Sequence, residues 1–171
     1  MKCIILVAGY ATRLYPLTLN FPKALLAVGN KPIISHIIEK LNEAKEIDEI
    51  FVITNERFFK NFVNWKKKVS SLIPIEIVSD GTSTNEDRLG SIGDLDFLIE
   101  NKSIKEDILL VAGDNLFNFD IGRFLKYADS KKPATSLIIY DIKNLDDAKK
   151  YGVVKIDNSN KVVLFEEKPP E

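Results

Sequence analysis

The chain has 171 residues, of which 45% are hydrophobic and 29% are charged, and its formal net charge is −1. This length and composition are typical of one globular domain, and the charge excludes a general nucleic-acid binder, which would have a basic excess. The first apolar run is too short to cross a bilayer, and the single cysteine, Cys3, cannot form an intramolecular disulfide. We therefore expect a cytoplasmic protein without membrane or nucleic-acid partners.

An apolar run over residues 3–9 predicts a buried first strand that leads into a turn of small residues. Backbone N–H groups in such turns bind anions. The Arg13 guanidinium can hold phosphate oxygens through two hydrogen bonds, and Lys23 adds a mobile positive charge. Residues 8–23, here called the anion loop, therefore predict a polyphosphate site.

Helical and strand patterns alternate along the rest of the chain. One predicted helix begins at Pro32, and three others cover residues 58–65, 89–99 and 121–128. Further strands are predicted at residues 49–54, 75–78, 107–113, 134–140, 151–156 and 162–166, with a hairpin turn at 158–160. This order predicts a Rossmann-like, three-layer α/β/α fold with a mixed, mainly parallel sheet and a strand-rich C-terminal part.

A second polar feature, Gly113-Asp114-Asn115, directly follows a predicted buried strand. Ligands of open α/β sheets collect beyond the carboxyl ends of the strands, so Asp114 is expected to face the anion loop if the two strands are neighbours. A carboxylate there can hold Mg²⁺ between phosphate oxygens. On spacing alone, Asp114 is equally well explained as a turn former or a helix cap.

Residues 6–16, 22–26 and 29–34 combine a small-residue turn, Thr-Arg, Pro-Lys and a Gly-x-Lys-Pro-Ile run. The joint pattern resembles the N-terminal signature of sugar-1-phosphate nucleotidyltransferases, the nucleoside-diphosphate-sugar pyrophosphorylases of the glucose-1-phosphate thymidylyltransferase type. The family usually has glycine where Ala11 stands, so the loop must use a negative φ there or carry strain. The resemblance implies nucleotide contacts from Ala8, Gly9, Tyr10, Ala11, Thr12, Arg13 and Lys23.

The resemblance also implies a reaction in which a sugar 1-phosphate oxygen attacks the α-phosphorus of an NTP and releases pyrophosphate. This chemistry needs positioning and neutralised charge more than an acid or a base. The implied catalytic residues are Arg13 at the β- and γ-phosphates, Lys23 at the α-phosphate, and Asp114 as the ligand of Mg²⁺. The nucleobase region of the family aligns with residues 87–94, but Arg88 replaces a glycine and no glutamine follows, so no base-reading side chain is assigned.

The same resemblance implies sugar-phosphate contacts from Gly152, Glu167 and Lys168, which without it are ordinary edge-strand residues. Family members continue beyond the Glu-Lys-Pro segment and carry a second acidic metal ligand. We therefore expect residues 1–171 to form one nucleotidyltransferase domain, shortened at its C-terminal end, without a candidate for that second ligand. His36, on the apolar stripe of the first helix, is expected to be structural.

Several functions stay open at this stage. The substrates implied are an NTP and a sugar 1-phosphate, and the sequence allows a homo-oligomer. One alternative is a non-catalytic relative that senses nucleotide sugars, although such relatives tend to lose the Arg, Lys or Asp that this chain keeps. Another is a nucleotidyltransferase for a non-sugar phosphate such as phosphocholine or a molybdopterin. A dinucleotide-binding oxidoreductase is disfavoured because no Gly-x-Gly-x-x-Gly follows the first strand.

Overall fold

The computed structural model describes residues 1–169, with residue 145 described by its backbone alone. The chain divides into two compact units, Met1–Ser130 and Lys131–Glu171. The strands are β1 Lys2–Leu6, β2 Ala27–Val28, β3 Lys31–Pro32, β4 Glu49–Thr54, β5 Ile75–Ser79, β6 Ile108–Ala112, β7 Gly152–Ile156 and β8 Val162–Glu167. The α-helices are α1 Ile33–Leu41, α2 Glu56–Lys66, α3 Gly90–Lys102, α4 Ile121–Ser130 and α5 Leu145–Ala148.

The first unit is built on a four-stranded sheet in the order β5-β4-β1-β6, with every neighbouring pair parallel. After β1 the chain adds β4 and β5 on one side, and then α3 returns it to the other side of β1 for β6. The strand order therefore reverses between β1 and β6, and such a switch point is where open α/β sheets bind ligands. Leu6 is level with Ile53 and with Ala112, so the segments that follow β1, β4 and β6 leave the sheet at one edge.

The sheet has helices on both faces, as the alternation of β1 requires. Cys3 and Ile5 point into a core formed with α1, α2 and α4, while Ile4 points to the opposite face and packs with Leu98 of α3. The predicted α/β/α layering and mainly parallel sheet are thus confirmed. Among the described helices, none is both long enough and apolar enough to cross a bilayer.

The second unit contains α5 and an antiparallel hairpin of β7 and β8, in which Gly152 lies opposite Glu167. The turn between these strands places Asn160 at φ 63°, a conformation that asparagine tolerates better than most residues. The predicted hairpin is therefore confirmed. Buried hydrophobic side chains of the described residues all lie in Met1–Ser130, so the second unit has no fully buried core residue in the part described.

One predicted strand is wrong. Residues 134–140 have neither strand nor helix hydrogen bonding, and the Tyr140 side chain is 86% exposed. An apolar β-branched run forms a strand only when a neighbouring strand supplies the ladder hydrogen bonds. Among residues 1–169 no strand pairs with this segment, and sequence periodicity could not reveal that.

Candidate active site

A cleft with a volume of about 590 Å³ lies at the carboxyl ends of β1 and β6. It brings together the anion loop, the first turns of α3 and the residues after β6. The predicted site residues that line it are Ala8, Gly9, Ala11, Thr12, Arg13, Lys23 and Asp114. The expectation that Asp114 faces the anion loop is confirmed, because β1 and β6 are adjacent and parallel.

The anion loop bends sharply at Ala11, which adopts φ 48° and ψ 43°. Of the two conformations open to this position, the structure therefore has the strained one, since a side chain disfavours the left-handed region. The buried Thr18 hydroxyl donates a hydrogen bond of 2.8 Å to the Ala11 carbonyl and fixes the bend. Residues 12–14 then form one 3₁₀ turn that presents Arg13 to the cleft.

Asn55, between β4 and α2, supports the loop from below, and sequence reasoning missed it. Its Oδ1 accepts a hydrogen bond from the Phe58 N–H and caps α2, while its Nδ2 donates to the Ala8 carbonyl at 2.7 Å. The side chain is fully buried. An asparagine directly after a predicted strand and before a helix is a typical N-cap signal. This signal could have identified the contact with the Phe58 N–H, but not the contact with the Ala8 carbonyl.

Lys23 and Asp114 contact each other across the cleft, with 2.7 Å between Nζ and Oδ2. Both side chains are about two-fifths exposed, at 37% and 42%. Gly113 makes this approach possible, because a Cβ on it would lie 2.1 Å from Val7 Cγ1 and 3.0 Å from Ile5 Cγ2. The two residues predicted to handle phosphate charge and metal therefore neutralise each other.

The first turns of α3 supply Ser91 and Asp94 to the cleft, and neither was predicted as a site residue. Asp94 is buried beside Asp80, which follows β5. Burial, followed by the negative charge of Asp80, raises the pKa of Asp94 to about 7. The sequence signal that could have identified Asp94 is a polar residue at a buried position of a predicted helix.

The other predicted residues lie elsewhere. Tyr10 is buried, 3% exposed, and its ring packs at 6.1 Å from that of Phe58, so it supports the loop without lining the cleft. Gly152, Glu167 and Lys168 belong to the β7–β8 hairpin of the second unit. A Cβ on Gly152 would lie 3.0 Å from both Glu167 Oε2 and Phe165 Cε2, so glycine permits a close approach there.

His36 Nε2 lies 2.9 Å from the Val28 carbonyl, as expected for a structural histidine. Within residues 1–169, no three carboxylate, histidine or cysteine side chains are grouped as a protein-only metal site would require. Mg²⁺ is commonly held by one or two carboxylates plus substrate phosphates, and the accessible Asp114 carboxylate beside an anion loop fits that requirement.

The chain matches a known protein family. Residues 2–171 match the sequence profile of the family described as Nucleotidyl transferase.

The chain belongs to that family. The chain is 33% identical over 172 residues to the bifunctional protein GlmU of Methanococcus vannielii, covering 100% of this chain and 36% of that relative. It is also 33% identical over 174 residues to mannose-1-phosphate guanylyltransferase 1 of Arabidopsis thaliana, covering 99% of this chain and 45% of the relative. The chain thus spans less than half the length of these two curated relatives.

Solved structures share the fold. A putative glucose-1-phosphate thymidylyltransferase from Bacillus anthracis superposes with a TM-score of 0.79 at 28% identity, over 100% of this chain and 65% of that one. A UDP-glucose pyrophosphorylase complexed with UDP-glucose gives a TM-score of 0.74 at 20% identity, over 98% and 69% of the two chains, and shows the fold alone. The resemblance to sugar-1-phosphate nucleotidyltransferases, based on residues 6–34, is confirmed.

Proposed function

We propose that the protein transfers a nucleoside monophosphate from an NTP to a sugar 1-phosphate, forming an NDP-sugar and pyrophosphate. The observation that carries this proposal is the meeting of Arg13, Lys23 and Asp114 in one cleft at the switch point of the sheet. The names of the relatives add support, since mannose-1-phosphate guanylyltransferase and glucose-1-phosphate thymidylyltransferase name this substrate class.

In this mechanism the anion loop holds the triphosphate. Arg13 binds the β- and γ-phosphates and stabilises the charge that develops on the leaving pyrophosphate. Lys23 leaves Asp114 and contacts the α-phosphate, where it lowers the repulsion between the phosphorus centre and the incoming anionic oxygen. The Asn55 side chain donates a hydrogen bond to the Ala8 carbonyl and thereby fixes the backbone of the loop. No general base is required, because the sugar phosphate is already an anion at neutral pH.

Asp114 is the residue of this chain that would hold Mg²⁺. When bound, the ion neutralises phosphate charge and orients the triphosphate. If Lys23 moves to the phosphate, the Asp114 carboxylate loses its cationic partner and would be free to hold Mg²⁺.

The sugar side of the proposal rests on the second unit. Glu167 accepts hydrogen bonds from sugar hydroxyls, the Gly152 backbone approaches the sugar, and Lys168 pairs with the sugar phosphate. The pairing of Gly152 with Glu167 across the hairpin supports this grouping. We further infer that residues 1–171 act as one catalytic domain of a cytoplasmic enzyme, and that a homo-oligomer is compatible with it.

The test is a screen for pyrophosphate release. The protein is incubated with Mg²⁺, each of the common NTPs and a panel of sugar 1-phosphates, with phosphocholine as the non-sugar control. We expect release only when one NTP and one sugar 1-phosphate are both present. Asp114→Asn should reduce turnover at least 100-fold, because the metal ligand is lost, while the circular dichroism spectrum is unchanged. Release with phosphocholine alone, or with none of the acceptors, would contradict the sugar substrate.

A further inference from the structure

Two carboxyl groups are buried next to each other where α3 borders the cleft. Asp80 follows β5 and is 7% exposed, and Asp94 lies in α3 and is 5% exposed. Every other aspartate of the first unit is exposed to solvent. Burial of an unpaired carboxylate is strongly unfavourable, so a neighbouring pair requires a physical explanation.

The hydrogen bonds of the two side chains show what is missing. Asp80 Oδ1 accepts from the Thr82 N–H at 2.7 Å and from the Thr82 hydroxyl at 2.8 Å. Asp80 Oδ2 and Asp94 Oδ1 are buried and receive no donor from any described residue. Neither carboxyl has a salt-bridge partner among residues 1–169. A donor is therefore lacking at both carboxyl groups, which lie within hydrogen-bonding reach of each other.

One proton supplies that donor. A protonated Asp94 donates a hydrogen bond to Asp80 and removes one of two adjacent buried charges. The pKa of Asp94, raised to about 7 by burial and by the charge of Asp80, is consistent with a proton that is retained at and below neutral pH. Dyads of this kind titrate as a unit, so the proton belongs to the pair.

We propose that Asp80 and Asp94 share one proton and that the protonated pair holds the α3 side of the nucleotide cleft in its binding position. The proposal rests on the proposed function, because it assigns a positioning role to residues beside the same cleft. Ser91 and Asp94 line the cleft directly, while Asp80 is fixed to β4 by a hydrogen bond from its N–H to the Thr54 carbonyl at 2.9 Å. The shared proton thus joins α3 to the central sheet at the mouth of the site.

The surroundings offer no replacement cation for the proton. Burial raises the pKa of the nearby Tyr10, the charges of Asp87 and Asp80 act in the same direction, and a hydrogen bond with Thr82 and the charge of Arg57 act against them. Charged side chains on the neighbouring elements include Arg13, Lys23 and Asp114 on the cleft and Arg88, Asp96, Glu100 and Lys102 on or before α3. They also include Glu56, which accepts a hydrogen bond from Ser79, and Glu76 of β5, which pairs with Lys102. Loss of the proton therefore leaves two adjacent negative charges that push α3 away from β5 and repel an incoming triphosphate.

The experiment measures nucleotide affinity at pH 6 and pH 8. Mg²⁺ complexes of ATP, GTP, CTP, UTP and dTTP are titrated separately into the wild-type protein, Asp94→Asn and Asp96→Asn. Asparagine at position 94 keeps a donor toward Asp80 without a proton that can dissociate, and Asp96 is an exposed residue of the same helix. A binding step that requires one proton with a pKa of about 7 weakens about tenfold between these pH values.

We expect this tenfold loss in the wild type and in Asp96→Asn, and its absence in Asp94→Asn. Titration of the nucleotide itself is common to all three proteins and cancels in the comparison. Parallel pH dependence of the wild type and Asp94→Asn would overturn the proposal. If Asp94→Asn does not fold, carbon-13 NMR of the wild-type carboxyl groups decides: a titration near pH 7 supports the pair, and two carboxyl groups ionised below pH 5 overturn it.

Failure of the proposed function can be told apart from failure of the pair. If no nucleotide binds at either pH, the proposed function is wrong, and thermal unfolding then tests the shared proton. A carboxyl whose folded pKa exceeds its unfolded value loses stabilisation as pH rises from about 4 towards about 7. The wild type should therefore lose unfolding temperature relative to Asp94→Asn over that range, and equal curves for both proteins would overturn the pair.

Discussion

At the scale of single residues, the contact between Lys23 and Asp114 determines how the charges of the cleft are paired. The two groups are 2.7 Å apart and partly exposed, so their attraction in water is worth no more than about 1 kcal/mol. A bound triphosphate and Mg²⁺ offer each partner a stronger contact. The ion pair therefore keeps both side chains in the cleft but is weak enough for a substrate to displace it.

This reading makes a prediction for Lys23→Met. Removal of the ammonium should raise the affinity of the protein for Mn²⁺ alone, up to about fivefold, since Asp114 no longer has a competing partner. The same variant should bind the Mg²⁺–nucleotide complex on the order of 10- to 100-fold more weakly, because a charge-assisted phosphate contact is lost. Calorimetric titration measures both constants.

Lys31→Met is the matched control, because Lys31 is also partly exposed and also paired, with Glu39, but does not line the cleft. It should leave both affinities unchanged. A Lys23→Met protein that binds metal and nucleotide as the wild type does would show that Lys23 contacts neither Asp114 nor phosphate in solution.

Residue types and their order were enough to predict that Arg13, Lys23 and Asp114 meet in one cleft, because charge and strand-end position are both visible in sequence. The sequence did not decide the backbone conformation of Ala11, because it left both a negative and a positive φ open. The structure has the positive φ, which the hydrogen bond from the buried Thr18 hydroxyl to the Ala11 carbonyl stabilises. Asp94 was missed because its significance depends on Asp80, 14 residues earlier, becoming its buried neighbour.

At the scale of elements, the junction of β1 and β6 determines the position of Asp114, the candidate metal ligand. The N–H of Gly113 donates to the Leu6 carbonyl at 3.0 Å, which extends the parallel pairing one residue beyond β6. Asp114 follows at once and has no freedom to move away from the anion loop. The position of the carboxylate is therefore set by backbone hydrogen bonds and by the absence of a side chain at Gly113.

Gly113→Ala tests this dependence. The added methyl would meet Val7 Cγ1 at 2.1 Å, and Val7 cannot easily turn away, so we expect a loss of about 1–3 kcal/mol in unfolding free energy. The displaced Asp114 should also weaken binding of Mg²⁺ with nucleotide. Chemical denaturation and calorimetry measure the two effects.

Gly122→Ala in α4 is the control, because its methyl would meet only Asp120 Oδ1, at an ordinary 3.4 Å. A helical Gly→Ala change should be neutral or stabilising by up to about 1 kcal/mol. If Gly113→Ala were as stable as Gly122→Ala, the junction would be looser than its geometry indicates.

The order and type of α1–α4 and of the four strands of the main sheet could be predicted because their periodicities are strong and agree with the final packing, whereas the two-residue strands β2 and β3 were missed. The strand predicted at residues 134–140 failed for the opposite reason. Its apolar pattern is real, but a strand exists only through a partner, and pairing is a property of the whole sheet. A strand-like local pattern is therefore a correct prediction only where another segment pairs with it, as β1 pairs with β6.

At the scale of the whole molecule, the two units differ in how they are held together. Among the described residues, the buried hydrophobic side chains and the lining of the cleft both lie within Met1–Ser130. The residues proposed for the sugar side lie in Lys131–Glu171. Nucleotide binding and sugar-phosphate binding are thus assigned to different units of one chain.

A chain that ends at Ser130 should therefore unfold cooperatively and bind the Mg²⁺–nucleotide complex within about threefold of the 171-residue chain, which corresponds to less than about 1 kcal/mol. It should release no pyrophosphate in the presence of sugar 1-phosphate, because Glu167 and Lys168 are gone. Calorimetry and an enzymatic pyrophosphate assay measure these properties. Loss of nucleotide binding with an intact fold would assign part of the nucleotide site to the second unit.

The central claim is nucleotidyl transfer to a sugar phosphate, and the fate of an α-phosphate label tests it most directly. The protein is given Mg²⁺, an NTP labelled with phosphorus-32 at the α-position, and the sugar 1-phosphate selected by the pyrophosphate screen. The account predicts that the label appears in an NDP-sugar, in equal amounts to the pyrophosphate released, and that Asp114→Asn forms neither. Label found only in free nucleoside mono- or diphosphate, whatever the acceptor, would contradict the account and identify the protein as a nucleotide hydrolase.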